Sequence, residues 1–226
     1  MRRHLYKYFT YRRWADAFLD GQLLFRSLSY FRDYEDQNVR GDSGEGKSVF
    51  RPEGGLVGYN HTQQRSFVLP NHAFVSNANA EQIFVYCLSG SLSLEMWQKF
   101  NAAACVEVLN IAAFCNRIEA ALPHNASFSG RPGHTRIGRW VTYYQQADTA
   151  SPRWALPDEI ATSKLDDYRW QDEFRLVFSL TDALGFEKVA VQLVPEGAAS
   201  APAVVQHGRH PVEAQALHDI CRLVNC

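Results

Sequence analysis

Short apolar runs dominate this sequence, each cut within a few residues by glycine, proline or a polar cluster. A doubly wound fold needs regular alternation of strand and helix, and that alternation is absent. About seven short strands and three or four helices can be drawn on periodicity. The pattern predicts an α+β fold with a mostly antiparallel sheet and a few packed helices. A length of 226 residues fits one domain over 1–226. Aromatics make up 13% of the chain, which excludes a disordered polypeptide.

The order of elements can be read along the chain. Leu5 to Phe9 reads as a first strand, and Tyr11 to Asp20 as a helix with Gly21 as its left-handed cap. Gln22 to Leu28 reads as a second strand. Ser48 to Tyr59 and Ser66 to Ser76 read as short strands or hairpin arms, broken by Gly54-Gly55 and Pro70. Ile83 to Leu88 reads as a strand, after which Ser91 or Ser93 caps a short helix carrying Met96, Trp97 and Phe100. Ala103 to Leu122 reads as the longest helix, ended by Pro123. Arg136 to Tyr144 reads as a strand. Tyr168 to Leu180 and Phe186 to Leu193 read as the arms of a hairpin around Thr181 to Gly185. Pro195 to Ala203 reads as a linker. Val212 to Val224 reads as a closing helix, with Pro211 at its first position.

Charge and cysteine usage narrow the function classes. Lys and Arg number 23 against 24 Asp and Glu, so a strongly basic nucleic-acid binder is disfavoured. The 5 cysteines form no paired motif, which points to reduced thiols and a cytoplasmic setting. No apolar run is long enough for a membrane helix, and the first residues lack the apolar core of a signal peptide. The histidines are scattered, so no metal site is expected. Tyr86-Cys87-Leu88 suggests a buried, inert thiol.

The sharpest local pattern is Trp170-Gln171-Asp172-Glu173-Phe174-Arg175. On a strand, Gln171, Glu173 and Arg175 share one face. Three long polar groups on one face need water, partners or a ligand.

Gln171-x-Glu173 resembles the Gln/Glu-x-Glu motif of the ADP-ribosyltransferase superfamily. Ser89-Gly90-Ser91, after the strand Phe84 to Leu88, is similar to the Ser-x-Ser segment that precedes the glutamate in many members. Where those enzymes hold NAD with Arg or His on the first strand, this chain has Lys7 or Tyr8. The sequence also resembles a large uncharacterised bacterial family, in Leu5 to Tyr8, Leu23 to Ser27, Met96-Trp97 and Trp170 to Arg175.

The resemblance implies a split sheet and transfer of ADP-ribose from NAD to a protein or nucleic acid. It gives Glu173 the oxocarbenium of the nicotinamide ribose and Gln171 the acceptor. Lys7, Tyr8, Arg26, Ser27, Tyr30, Ser89, Ser91 and Arg175 are then expected around NAD. A bacterial toxin or phage-defence role, with an antitoxin or immunity partner, goes with that resemblance.

Two alternatives stand beside it. Arg26, Tyr30, Phe31 and Arg32 interleave bases and aromatics, as in a nucleic-acid-binding module without NAD chemistry. Gly41 to Ser48 satisfies the spacing of a phosphate-binding P-loop, but Pro52 and Gly54-Gly55 forbid the long helix that must follow. Arg40 to Gly46 holds 3 glycines and reads as a loop able to present Asp42, Glu45 or backbone N–H groups to a ligand.

Overall fold

A computed structural model describes residues 4–32, 44–148, 151–195 and 207–224. The chain opens with β1 (Leu5–Phe9), α1 (Arg12–Leu19), β2 (Gln22–Ser27) and α2 (Leu28–Arg32). Four strands follow: β3 (Lys47–Phe50), β4 (Leu56–Asn60), β5 (Arg65–Leu69) and β6 (His72–Ala78). Next come β7 (Phe84–Ser89), α3 (Leu94–Lys99), β8 (Ala104–Val108) and α4 (Ile111–Ala121). Then come β9 (Gly138–Trp140), β10 (Thr142–Tyr144), α5 (Pro157–Ala161), β11 (Ser163–Leu165) and β12 (Glu173–Phe178). The described chain closes with β13 (Val189–Pro195), β14 (Arg209–Glu213) and β15 (Cys221–Val224). The fold is α+β, and every strand pairing is antiparallel except that of β10 with β11.

The largest sheet is forked at β7. At Ser89, β7 faces Tyr6 of β1 on one edge and Glu173 of β12 on the other. At Val85 it faces Arg26 of β2 and Val177 of β12. β1 and β2 therefore share one edge of β7 at opposite ends, and between them Tyr86, Cys87 and Leu88 have no strand partner on that edge. One branch continues from β1 to β8 and β15, the other from β2 to β14. The orphaned edge is not left bare: Lys7 Nζ donates to the Cys87 carbonyl at 2.6 Å. A buried carbonyl left without such a donor would cost free energy comparable to a lost hydrogen bond.

Both faces of the sheet are covered. On one face Leu88, Phe174, Leu176 and Phe178 pack with Phe18 of α1 and with Phe114 and Ile118 of α4. On the other, Val85 and Val177 pack with Leu28, Ala78, Ile160 and Ala161. All six residues of β12 are buried in consequence.

Several sequence readings need correction. Ala103 to Leu122 is a strand and then a helix: β8 is buried throughout, and Asn110 starts α4 by accepting from Ala113 N–H at 3.1 Å. Val212 to Val224 is no helix but the end of β14 and the strand β15, held by β2 and β8. β12 and β13 do not form a hairpin, because β13 pairs with β6. Arg136 to Tyr144 is divided into β9 and β10, which pair with different strands. Tyr168 to Gln171 belongs to a 3-10 helix, and β12 starts only at Glu173. Most of the Pro195 to Ala203 linker lies outside the described residues.

Candidate functional site

The gap between the two branches opens into a cavity of about 600 Å³. Glu173, Gln171 and Arg175 line it, as do Lys7, Tyr8 and Ser89 near the fork. Arg26 and Tyr30 line it from the β2 branch. Tyr6 and Glu173 flank Ser89 from opposite edges, which places them two strand spacings apart, about 10 Å.

The polar centre is a buried network of two carboxylates and two cations. Arg175 is 1% exposed, and its Nε donates to Glu173 Oε1 at 2.7 Å. Its terminal nitrogens grip both oxygens of Glu45 in a fork, one of them at 2.9 Å, and also reach the Ala161 carbonyl at 2.6 Å. Lys164 Nζ lies 3.0 Å from Glu173 Oε2 and 3.3 Å from Glu45 Oε1, and donates to Gln171 Oε1 at 2.9 Å. Two negative and two positive groups balance, so the burial of each is compensated.

Burial alone would raise the Glu173 carboxyl. The charges of Arg175 and Lys164 outweigh it and hold the group far below the ordinary carboxylate range. The neighbouring Cys87 thiol is pushed up to about 12, by burial first and by the Glu173 charge second. It stays protonated and is no nucleophile at neutral pH.

Glu45 was visible in the sequence only as part of a glycine-rich loop, and the structure carries it into the site. Gly46 has φ +72, and a Cβ there would lie 2.8 Å from Ala80 Cβ, so only glycine fits this turn. Arg32 of α2 clamps the Glu45 carbonyl at 2.8 and 3.0 Å while Arg175 clamps its carboxylate. Lys164 gave no sequence signal at all. Lys47 and Ser48, the end of the P-loop-like spacing, begin β3 and not a helix. Gly41, Asp42 and Ser43 lie outside the described residues.

Gln171 reaches the network from the 3-10 helix, not from the strand face. Asp172, at φ 40, turns the chain between it and Glu173. The Ser89–Ser91 segment locks this turn to β7. Ser89 Oγ donates to the Gln171 carbonyl at 2.7 Å and accepts from Ser91 N–H at 3.0 Å. A Cβ on Gly90 would fall 2.4 Å from Asp172 Oδ2 and 2.8 Å from the Trp140 ring, so a larger residue between the two serines would have to displace those side chains. Ser91 is not on the cavity wall; its carbonyl accepts from Tyr8 OH at 2.9 Å. Ser27 is fully buried away from the cavity, sharing a hydrogen bond with Ser29 Oγ at 2.8 Å.

No family model, curated protein or solved structure matches the chain. Among the described residues no group of three or more His, Cys, Asp or Glu is placed to hold a metal ion. Nor is any helix there long and apolar enough to cross a membrane.

Proposed function

We propose that the chain is an ADP-ribosyltransferase that takes NAD as substrate in the forked-sheet cavity. The observation that carries this reading is the placement of Glu173. It is an ionised carboxylate fixed by Arg175 and Lys164 on the wall of a 600 Å³ cavity that also holds Lys7 and Arg26. That volume lies in the usual range for small-molecule sites. Lys7 and Arg26 offer positive charge to a diphosphate, and Tyr8 and Tyr30 offer aromatic surface to the bases.

In the reaction, the glycosidic bond between nicotinamide nitrogen and ribose breaks, and its electron pair leaves with nicotinamide. Positive charge grows on the ribose as it becomes an oxocarbenium. Glu173, held in place before the substrate arrives, stabilises that charge without reorganisation. The acceptor then attacks the ribose carbon and loses a proton, with the Gln171 amide orienting it. The acceptor is a protein or a nucleic acid. Toxin or phage-defence action, opposed by an antitoxin or immunity protein, is the biological setting of this proposal.

The test is nicotinamide release from NAD by the protein and by Glu173→Gln, with melting temperature measured on both. The substitution is nearly isosteric and removes the charge that faces the oxocarbenium. Turnover is expected to fall by about 10² to 10³ with NAD binding much less changed. Equal turnover in a folded variant would show that Glu173 is only a brace between β12 and the Glu45 turn.

A further inference from the structure

Two pairs of arginines face each other across strands of the main sheet. Arg139 of β9 lies directly opposite Arg175 of β12, and Arg209 of β14 directly opposite Arg26 of β2. Like charges so placed repel and destabilise a sheet. The first pair is balanced: Asp158 neutralises Arg139, and Glu45 and Glu173 neutralise Arg175. The second pair is not. Among the described residues neither Arg26 nor Arg209 has an acidic partner, and the only side-chain ion pair, hydrogen bond or ring contact of either guanidinium is with the Tyr30 ring, 4.6 Å from that of Arg26.

We propose that Arg26 and Arg209 form a seat for a phosphate ester, whose negative charge removes their mutual repulsion. Their side chains leave neighbouring strands on one face of the sheet, the face that carries Val85 and, farther along β7 and β12, Cys87 and Arg175. Arg26 lines the cavity and Arg209 is exposed just outside it, so the seat lies at the rim. Arginines directly opposite on paired strands can bring two guanidinium forks to one phosphate, which accepts several charge-assisted hydrogen bonds at once. Tyr30, stacked under Arg26, supplies an aromatic face beside it. The phosphate has two sources of the same chemistry: the diphosphate of a dinucleotide, or the phosphodiester of a nucleic-acid acceptor entering from the rim. The seat deepens the transferase reading but needs only the register and the lack of an acidic partner among the described residues.

Calorimetric titration of the full chain tests it, with ADP-ribose, a single-stranded 12-nucleotide oligomer and unphosphorylated adenosine as probes. At low salt at least one phosphate-bearing probe is expected to bind. Arg209→Gln, on an exposed strand position, should weaken that binding about tenfold, the usual order for one charge-assisted hydrogen bond. Arg209→Lys should restore part of it, and adenosine should not respond to either change. Sensitivity of ADP-ribose assigns the seat to the diphosphate. Sensitivity of the oligomer, with a salt slope shallower by about one, assigns it to a nucleic-acid strand. Binding of both probes unchanged in Arg209→Gln and Arg26→Gln, or no binding of either to the parent protein, overturns the proposal. Nicotinamide release is read separately, so phosphate binding without NAD turnover sinks the transferase reading and leaves the seat standing.

Discussion

Two of the buried carboxylate clusters, those around Glu173 and Asp158, use the same chemistry and differ in what surrounds them. Glu173 has Arg175 on one oxygen and Lys164 on the other, shares both cations with Glu45, and faces the cavity. Asp158, in the first turn of α5, gathers Ser129 at 2.7 Å, Arg131 at 2.8 Å and Arg139 on a single oxygen, Oδ2. Its Oδ1 is buried with no hydrogen-bond partner among the described residues. Every carboxylate oxygen of the cavity cluster therefore has a cationic partner, while the α5 cluster is lopsided and ends at Arg131, which is partly exposed. Charge burial alone does not mark a site. A saturated network on the wall of a cavity is a better marker, because its groups are aimed before a ligand arrives.

Removing the shared cation should break the contrast most strongly. Arg175→Met leaves Glu45 and Glu173 buried with only Lys164 between them. A loss of about 3–5 kcal/mol is expected, read as a denaturant midpoint. A variant as stable as the parent would mean that the network holds nothing together. Glu173→Gln leaves Arg175 and Lys164 buried with only Glu45 between them, so it should lower the denaturant midpoint by a comparable amount, and turnover of the protein that stays folded should fall by about 10² to 10³ as well. Asp158→Asn is the converse. It should cost about 1–3 kcal/mol of stability, because Arg131 keeps Glu159 and Arg139 keeps the Phe128 carbonyl. Nicotinamide release should not move. A fall in turnover equal to that of Glu173→Gln would place both clusters in one functional unit.

The parts of this picture that the sequence made legible are those set by local chemistry. β1, α1 with Gly21 at φ +90, and α3 with Ser93 accepting from Met96 N–H all follow from short-range patterns. The two segments misread as helix share one cause. Val106 and Cys221 lie in apolar stretches that fit a helical face as well as a strand, and their pairing partners lie far away in the chain. Lys7, Glu173 and Arg26 were legible as candidates because the motifs are contiguous. Glu45 and Lys164 were not, since only the folded turn at Gly46 and the pairing of β10 with β11 carry them inward. The Arg26–Arg209 pair depends on a register between residues 183 positions apart in the chain. No sequence window contains that.

The smallest expected effect sharpens the comparison through pH. Burial works to raise the Asp158 carboxyl, but hydrogen bonds from Ser129, Arg139 and Arg131 outweigh it and leave the group below its ordinary value. A carboxyl whose pKa is lowered by folding adds stability that is complete above the unfolded value, about 4, and fades as pH falls through the folded value. Ser129→Ala removes one of the three donors. At pH 7 it should cost about 1 kcal/mol, the usual size of one such bond. As the pH falls below about 4 and Asp158 takes up its proton, a hydroxyl bond to a neutral acid counts for less. The gap between the two melting curves should therefore stay open down to about pH 4 and narrow only below it, where folded Asp158 takes up its proton. A gap that stays constant below that pH as well would mean that Ser129 acts by holding the turn before Arg131, whose N–H it accepts at 3.0 Å, and not by stabilising the Asp158 charge.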